Sequence, residues 1–409
     1  MPIIESLLDT DFYKFTMGQV AYLRYPGVTA RYAFKNRTQK ARLAEAVDEA
    51  ALRRELDHAR TLRFAEEELR YLRDVRVARG PVFREEYVRF LEGVRLPEYH
   101  LERAGDAYRL EFSGRWCEAI LWETLALSVV HELYCRGLVE RQSLADRETV
   151  MEEGRARLEA KVRALRERPE MRFSDFGGRR RFSRAWQMEV LRRLAEELPD
   201  QFLGTSNVEM AFRLGLTPIG TMGHEMFMAL SGIGGEDEEA IRASHNRTLR
   251  EWWEAYGPGL SVALTDTYGT DFFFQDMTRG QAAQWQGLRH DSGDPVAFGE
   301  RAMAFYRGHG IEPGEKLLVF SDGLDVEAML RIAGHFQGRI RVGFGWGTNL
   351  TNDLGLEPLS IVVKMAEANG RRAVKLSDNL AKAIGEPEDV ERFKRIFGYT
   401  GRVYEPCRY

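Results

Sequence analysis

The chain has 409 residues, which is more than one hydrophobic core usually serves, so we expect two domains. Hydrophobic residues make up 44% of the sequence and charged residues 30%, a balance typical of an ordinary globular protein. The formal net charge of -4 gives no electrostatic reason to expect a nucleic acid or a membrane surface as a partner.

Cysteine use and hydropathy indicate a reducing compartment. The three cysteines, Cys117, Cys135 and Cys407, are scattered without a CxxC pair, so we expect neither a disulfide framework nor a structural zinc site. The first residues carry no basic segment, and no stretch approaches the ~18 apolar residues of a membrane helix. We therefore expect a cytoplasmic protein.

The first part of the chain mixes helical and strand patterns, which predicts a smaller α+β domain over residues 1–115. Asp9 or Thr10 can cap its first helix. The patterns predict, in chain order, a helix over 10–23, a strand over 28–34, two surface helices within 41–79, a small antiparallel sheet within 82–112 and an apolar helix over 114–134. We place the transition to the second domain at this apolar helix.

The rest of the chain repeats a unit of short apolar strand, polar loop with glycine, and helix. This alternation predicts parallel strands with helical crossovers in an α/β barrel domain over 116–374. Strands of this series are predicted over 172–176, 260–264, 287–289, 316–320 and 339–342. A hairpin is predicted across Asn369 and Gly370, and the segment 375–409 could join the first domain. Polar residues follow the strands, where a (β/α) barrel builds its active site.

His224 stands within GTMGHE at 220–225, where an extended segment is predicted to give way to a helix. Flanking glycines let a backbone approach a ligand closely, and the amino terminus of a helix suits a phosphate group. An imidazole nitrogen can also accept a phosphoryl group. Taken alone, this stretch favours a loop histidine that only hydrogen-bonds a neighbour, so the decision rests on other segments.

The loop after the predicted strand 287–289 carries a second set of candidate residues. Arg289 could neutralise a pyrophosphate, and Asp291 or Asp294 could bind two ribose hydroxyls or hold Mg²⁺ through water. The alternative is a helix cap, since Asp291 or Ser292 precedes Pro295 at a suitable distance. Both interpretations stay open for different residues.

Two glycine-bearing loops and an arginine run complete the candidates. The loops at 321–323 and 343–349 come late in the strand series, where barrels commonly bind phosphate through backbone N–H groups, although tight-turn chemistry explains either loop alone. Of the arginines at 179–181, one beside Phe176 would suit an aromatic carboxylate, and we expect the others at the surface. The residues thus indicate an α/β enzyme for a phosphorylated, ribose-containing ligand.

Eight segments together resemble nicotinate phosphoribosyltransferases, and they occur in the order found in that family. The segments are SLLDTDFYK at 6–14, FSDFGGRR at 173–180, GTSN at 204–207, GTMGHE at 220–225, LTDTY at 264–268, GLRHDSGDP at 287–295, VFSDGLD at 319–325 and GTNL at 347–350. The resemblance spans nearly the whole chain, and the joint occurrence is specific although each segment alone is weak.

The resemblance implies an irregular (β/α) barrel of the type II phosphoribosyltransferase kind with a smaller amino-terminal α+β domain. It implies that the enzyme joins nicotinate to 5-phosphoribosyl 1-pyrophosphate, with Mg²⁺ and with ATP hydrolysis coupled through phosphorylation of His224. The partners it implies are these small molecules and a second copy of the chain, in a homodimer with shared active sites.

The resemblance also implies roles for single residues. Tyr13 from one subunit and Phe176 from the other would sandwich the pyridine ring, with Arg179 near its carboxylate. Arg289 and Asp291 would lie at the phosphoribosyl group. Further substrate contacts are implied for Thr205, Ser206, Asp322, Gly323, Gly345, Gly347 and Thr348, of which Asp322, Gly345 and Gly347 would lie at the 5′-phosphate. No residue is singled out as a metal ligand.

Ser206 bears on the choice of substrate. Related nicotinamide enzymes carry an aspartate after Gly-Thr, and a neutral serine avoids repelling the carboxylate of nicotinate. The alternatives are a nicotinamide or quinolinate phosphoribosyltransferase, a barrel hydrolase that uses Asp291 and Asp294 as an acid/base pair, and a barrel that only binds phosphoribosyl ligands.

Overall fold

The structure is a computed structural model, and it describes residues 2–38, 40–77, 80–401 and 403–405, without the side chains of 144–147. Its strands are β1 (Thr29–Asn36), β2 (Arg76–Val77), β3 (Gly80–Pro81), β4 (Tyr99–Ala104), β5 (Ala107–Arg115), β6 (Phe173–Asp175), β7 (Phe202–Thr205), β8 (Val262–Leu264), β9 (Gly287–His290), β10 (Leu317–Phe320), β11 (Arg341–Trp346), β12 (Ile361–Ala368) and β13 (Arg371–Arg372).

The α-helices alternate with the later strands. They are α1 (Phe12–Arg24), α2 (Leu43–Ala46), α3 (Glu49–Thr61), α4 (Glu66–Asp74), α5 (Glu85–Gly93), α6 (Trp116–Ala119), α7 (Trp122–Glu140), α8 (Leu144–Arg166), α9 (Arg184–Glu197), α10 (Val208–Leu214), α11 (His224–Ile233), α12 (Glu238–Tyr256), α13 (Thr270–Asp276), α14 (Arg279–Gln284), α15 (Pro295–Gly308), α16 (Val326–Phe336), α17 (Thr348–Thr351) and α18 (Pro387–Phe397). Across the described residues, no helix is long and apolar enough to cross a membrane.

Six parallel strands form one sheet, in the order β7-β6-β11-β10-β9-β8. The segment between β7 and α11 closes the gap between the two edge strands. Thr205 exchanges backbone hydrogen bonds with Thr217 and Ile219, and the Thr221 hydroxyl donates to the carbonyl of Val262 at 3.2 Å. The predicted irregular α/β barrel is therefore confirmed, and the closing segment leads directly to His224.

A second, antiparallel sheet has the order β13-β12-β1-β5-β4. The predicted hairpin is present, because Asn369 and Gly370 take the positive φ angles of 54° and 74° that a tight turn requires. Its strand β12 pairs along its length with β1. A segment from late in the chain thus joins the amino-terminal sheet, while the domain boundaries at 115 and 374 stay predictions.

Several local predictions need correction. The stretch 82–112 contains a helix, α5, whose buried Tyr87, Val88 and Leu91 recur at helical spacing, so only its second half forms antiparallel strands. The described part of the stretch 41–79, residues 41–77, holds three helices rather than two. Asp11, not Asp9 or Thr10, stands at the N-cap of α1. Of the three cysteines, Cys117 and Cys135 are free and buried, and Cys407 lies outside the described residues.

Candidate active site

A cavity of about 490 Å³ opens at the carboxyl ends of the parallel strands, and its walls include residues from both sheets. Because β6, β7, β9, β10 and β11 all end here, the residues that follow them meet in one place. The lining includes these residues singled out from the sequence: Tyr13, Phe176, Arg179, Ser206, His224, Arg289, Asp291, Asp322, Gly323, Gly347 and Thr348.

Two residues predicted to contact substrate lie behind the wall instead. The Thr205 hydroxyl is fully buried and donates to Oδ2 of Asp175 at 2.7 Å, so its side chain is used inside the protein. Gly345 belongs to β11, which continues through the first part of the predicted loop 343–349. A Cβ atom at Gly345 would come within 2.3 Å of the Phe176 ring, so this glycine makes room for that ring.

His224 begins α11 and is held by two hydrogen bonds. Its Nδ1 lies 3.0 Å from Oγ1 of Thr267, and its Nε2 lies 3.0 Å from Oδ2 of Asp291. Burial, together with the Lys375 ammonium, lowers the pKa of this imidazole to about 4. The ring is therefore neutral at pH 7, with its Nε2–H donating to Asp291 and its Nδ1 accepting from Thr267.

Asp266 lies beside this pair, although the resemblance assigned it no role. Burial acts to raise the pKa of its carboxyl, but Lys375 at 3.8 Å and other neighbours hold that pKa below its ordinary value. The hydroxyls of Ser292 and Ser377 donate to its Oδ2, whereas its Oδ1 is buried without a hydrogen-bond partner among the described residues. Ligand atoms of His224, Asp266 and Asp291 lie within 4.8 Å of one another and could hold a metal ion.

Asp294 has a structural task. Its side chain accepts from the backbone N–H of Ala297 at 2.6 Å and caps α15, which starts at Pro295. The helix cap expected here is thus Asp294 rather than Asp291 or Ser292. Asp294 is absent from the cavity lining, which removes the acid/base pair that the hydrolase alternative requires.

Two lysines of the carboxyl-terminal segment complete the polar end of the cavity. Lys375 approaches Asp266, and Lys382 lies 2.5 Å from Oδ1 of Asp322 and donates to the backbone carbonyl of Asp291 at 2.8 Å. Sequence reasoning missed both, because they follow the hairpin rather than a parallel strand. The signal that could have indicated them is their positive charge, which suits a phosphate bound by the loops late in the strand series.

Tyr13 and Phe176 line the same cavity within a single chain. The reason is local: α1 is tied to the loop after β7 by the pairing of Asp11 with Asn207 and by the Phe12 N–H, which donates to the carbonyl of Ser206 at 2.6 Å. The implied placement of the two rings on different subunits stays a prediction.

The prediction for the three successive arginines also needs correction, because the second and third do not lie at the surface. Arg180 is buried and its Nε donates to the carbonyl of Ile361, while Arg181 is fully buried and forms a bidentate ion pair with Asp9 at 2.7 Å. Of the two that line the cavity, Arg179 and Arg180, only Arg179 is about one-third exposed.

Ser206 lines the cavity together with Tyr13 and Phe176, whose rings mark what we call its aromatic end. Its hydroxyl donates to Oδ1 of Asp11 at 2.7 Å. Burial raises the pKa of Asp11 to about 6, against the opposing effects of Arg179 and of this hydrogen bond. The neutral side chain at 206 therefore adjoins a carboxyl group that is already poorly solvated.

A cluster of buried charged residues adjoins the aromatic end of the cavity. Lys14 is fully buried, lies 2.5 Å from Oε2 of Glu123 and also pairs with Glu225, the residue after His224. Tyr32 and Trp116 donate to Glu225 as well. The cluster ties α1, α7 and the start of α11 together, and sequence reasoning did not find it because its members are far apart in the chain.

Parallel strands that deliver a histidine, aspartates and cations into one cavity define an α/β enzyme. Comparison with known proteins agrees with this class and identifies a family within it. The nicotinate phosphoribosyltransferase (NAPRTase) family matches residues 171–401, and the amino-terminal domain of that family matches residues 8–131.

Solved structures are similar over almost the entire chain. The nicotinate phosphoribosyltransferase from Vibrio cholerae is 34% identical, with a TM-score of 0.88 over 98% of this chain and 94% of that one. The nicotinate phosphoribosyltransferase from Porphyromonas gingivalis is 31% identical, with a TM-score of 0.85 over 97% and 100%. A protein from Saccharomyces cerevisiae is 30% identical, with a TM-score of 0.85 over 98% and 99%. The chain belongs to the nicotinate phosphoribosyltransferase family.

Proposed function

We propose that this chain joins nicotinate to 5-phosphoribosyl 1-pyrophosphate, releasing nicotinate mononucleotide and pyrophosphate in NAD salvage. We further propose that ATP hydrolysis is coupled to the reaction through a phosphohistidine at His224, in a cytoplasmic homodimer. The observation that carries the ATP coupling is a neutral imidazole at the start of a helix, inside the cavity and hydrogen-bonded to Asp291.

The transfer step needs little acid–base chemistry, because the pyridine nitrogen is itself the nucleophile. It bonds to the ribose C1 as the bond from C1 to the pyrophosphate oxygen breaks, so positive charge develops on the ribose and negative charge on the leaving group. Arg289 suits that leaving group, since its Nε is buried without a hydrogen-bond partner among the described residues. Positioning and charge neutralisation dominate the catalysis.

In the phosphorylation step, the ring nitrogen of His224 that carries no proton bonds to the γ-phosphorus of ATP as the bond from phosphorus to the β,γ-bridging oxygen breaks, so ADP leaves. The carboxylate of Asp291, 3.0 Å from Nε2, accepts a hydrogen bond from the ring and stabilises the positive charge that develops on the imidazole. Hydrolysis of the phosphohistidine then returns the imidazole and yields phosphate. The α11 amino terminus favours the added negative charge.

The donor set also fits Mg²⁺, which prefers carboxylate oxygens. Asp266 and Asp291 would hold the ion, since Oδ1 of Asp266 is buried without a hydrogen-bond partner among the described residues. Bound there, Mg²⁺ supplies neutralisation of phosphate charge. The imidazole of His224 then remains available for its own chemistry.

The test is an assay of nicotinate mononucleotide from nicotinate and phosphoribosyl pyrophosphate, with and without ATP. Product is expected in both cases, with higher turnover or apparent affinity when ATP is present. Failure to release pyrophosphate in either assay overturns the transferase proposal.

Labelling with γ-labelled ATP tests the histidine separately. Phosphate on nitrogen is acid-labile and alkali-stable, so acid should remove the label. His224→Asn should abolish labelling while leaving an ATP-independent transfer reaction. Acid-labile label on this variant would move the chemistry to another histidine, such as His290, whose buried ring lies outside the cavity lining.

A further inference from the structure

Two cations lie side by side at the aromatic end of the cavity. The Lys364 ammonium donates to Oε1 of Glu123 at 2.9 Å, and Nη1 of Arg179 donates to the same oxygen at 3.4 Å. Sharing one oxygen atom keeps the two charged groups close together. Both residues line the cavity with Tyr13 and Phe176.

The position of Lys364 is fixed by strand pairing rather than by a flexible loop. It lies on β12 opposite Ala33 of β1, and its neighbours Val362 and Met365 also line the cavity. About 22% of its side chain is exposed, and the residue lines the cavity. Glu123 takes one of the three N–H donors of the ammonium, which leaves donors for a ligand.

Three cations contact one acid of this cluster. Glu123 faces Lys14, Lys364 and Arg179, while the other acid of the cluster, Glu225, pairs with Lys14. Nε of Arg179 also lies 3.9 Å from Oδ2 of Asp11. A carboxylate placed between Arg179 and Lys364 would therefore meet two cations that share Glu123, with Asp11 as the second acid beside Arg179, next to two aromatic rings.

We propose that Lys364 is a specificity-determining residue that binds the carboxylate of the aromatic acid substrate together with Arg179, while Glu123 holds the two cations in place. The proposal rests on the proposed function, because it concerns the same substrate. It assigns a task to a residue that the sequence motifs did not include. The competing assignment, contact with a phosphate of phosphoribosyl pyrophosphate, is an outcome of the test.

The first experiment compares Lys364→Met with the wild-type protein. The KM for nicotinate, and its Kd measured by equilibrium dialysis without the second substrate, should rise about 10- to 100-fold, as expected for loss of a charge-assisted hydrogen bond. The KM for phosphoribosyl pyrophosphate should not change. Lys364→Arg should restore most of the nicotinate affinity, and Lys40→Met, at an exposed lysine, is the matched control.

Folding of the variant is checked by thermal unfolding, and Glu123 keeps Lys14 and Arg179 as partners when Lys364 is replaced. If Lys364→Met binds nicotinate as tightly as the wild type, the proposal is wrong. A rise in the KM for phosphoribosyl pyrophosphate in place of nicotinate also overturns it, since Lys364 would then serve a phosphate.

A pH profile of the wild-type protein gives a second readout. Burial, and the nearby Arg179 and Lys14, lower the pKa of Lys364 to about 8, while Glu123 opposes them. The ammonium loses its proton above that pH, so the Kd for nicotinate should rise there. The Kd should stay level in Lys364→Arg, because guanidinium remains protonated. Equal profiles for the two proteins would contradict the assignment.

The two proposals fail in different ways. Wild-type protein that binds nicotinate but forms no mononucleotide overturns the transferase reaction and leaves the dialysis test of Lys364 in force. Wild-type protein that forms mononucleotide, with nicotinate affinity unchanged in Lys364→Met, overturns only the role of Lys364.

Discussion

The protonation state of His224 depends on a lysine from the carboxyl-terminal segment. Lys375 disfavours a positive imidazolium, and together with burial it lowers the pKa of His224 to about 4. Lys375→Met should therefore raise that pKa toward the ordinary value of 6.5, so the ring would become protonated at a higher pH.

NMR titration of isotope-labelled histidine measures this shift directly. Lys40→Met, which removes an exposed lysine, should leave the His224 titration where it is. An unchanged pKa in Lys375→Met would show that the Lys375 ammonium does not contribute to the low pKa of the ring.

Ser206 affects the substrate through Asp11. Ser206→Asp would replace a hydrogen-bond donor with a second carboxylate 2.7 Å from the first, and like charges at contact cost about 1 kcal/mol even in water. We expect the KM for nicotinate to rise about tenfold or more, because the substrate carboxylate would face both acids. Steady-state kinetics with Ser206→Asn as the uncharged control measures the effect. Unchanged nicotinate kinetics would place Ser206 away from the carboxylate.

Not every suggestive group of residues is a site. Cys135 and Asn352 both contact Nδ1 of His131, at 3.5 Å and 3.4 Å, which resembles a nucleophile with its base. Burial raises the pKa of the thiol to about 12 and lowers the pKa of the imidazole to about 3, so a thiolate–imidazolium pair is disfavoured. None of the three lines the cavity, and Nε2 of His131 accepts from the backbone of Leu359. Their role is structural.

At the scale of elements, a glycine of β11 leaves room for the Phe176 ring in the wall of the cavity. A Cβ at Gly345 would lie 2.3 Å from the Phe176 ring, whereas one at Gly343 would meet nothing closer than 3.8 Å. Gly345→Ala should displace Phe176, raise the KM for nicotinate and cost about 1–3 kcal/mol of stability. Gly343→Ala is the matched control on the same strand.

Kinetics and denaturant unfolding of both variants test this prediction. If Gly343→Ala and Gly345→Ala have the same KM for nicotinate and the same free energy of unfolding, the position of the Phe176 ring does not depend on the missing side chain at Gly345.

The start of α11 shows the same use of small residues. Gly223 is its N-cap and offers no side-chain cap, and a Cβ there would come within 3.2 Å of the Tyr13 ring. The glycine thus allows Tyr13 to lie against the residue that precedes His224. Helix start and aromatic wall are consequently one packed unit.

At the scale of the whole molecule, the placement of Tyr13 decides how a dimer would work. Tyr13 and His224 line the cavity of one chain. If each site uses the Tyr13 of its own chain, a hybrid dimer of Tyr13→Ala and His224→Ala subunits contains no intact site. Mixing the two variants should then not restore ATP-dependent activity. A ring supplied by the partner would instead recover roughly a quarter of wild-type activity, from the one intact site of each hybrid.

Native mass spectrometry verifies the subunit exchange on which this test depends. Recovery of activity on mixing would return Tyr13 to the partner's site, and a chain that stays monomeric at working concentration would contradict the proposed homodimer.

The sequence alone determined the repeating strand–helix units, the hairpin and the polar residues at the ends of the strands. These features depend on local periodicity and turn chemistry, which neighbouring residues set by themselves. His224, Asp291 and Asp322 could be found in this way, because parallel strands bring residues that follow them to one edge. The joint order of eight short segments then gave the family.

Only the tertiary structure decided which charged side chains form ion pairs and which aromatic rings line the same cavity. The pairing of β12 with β1 delivers Lys364 to Glu123, and the docking of α1 on the loop after β7 delivers Tyr13 to its own chain's cavity. Burial of Arg181 likewise depends on Asp9, which is distant in the chain. Such long-range contacts follow from packing free energy summed over the whole core, which no local pattern in the sequence contains.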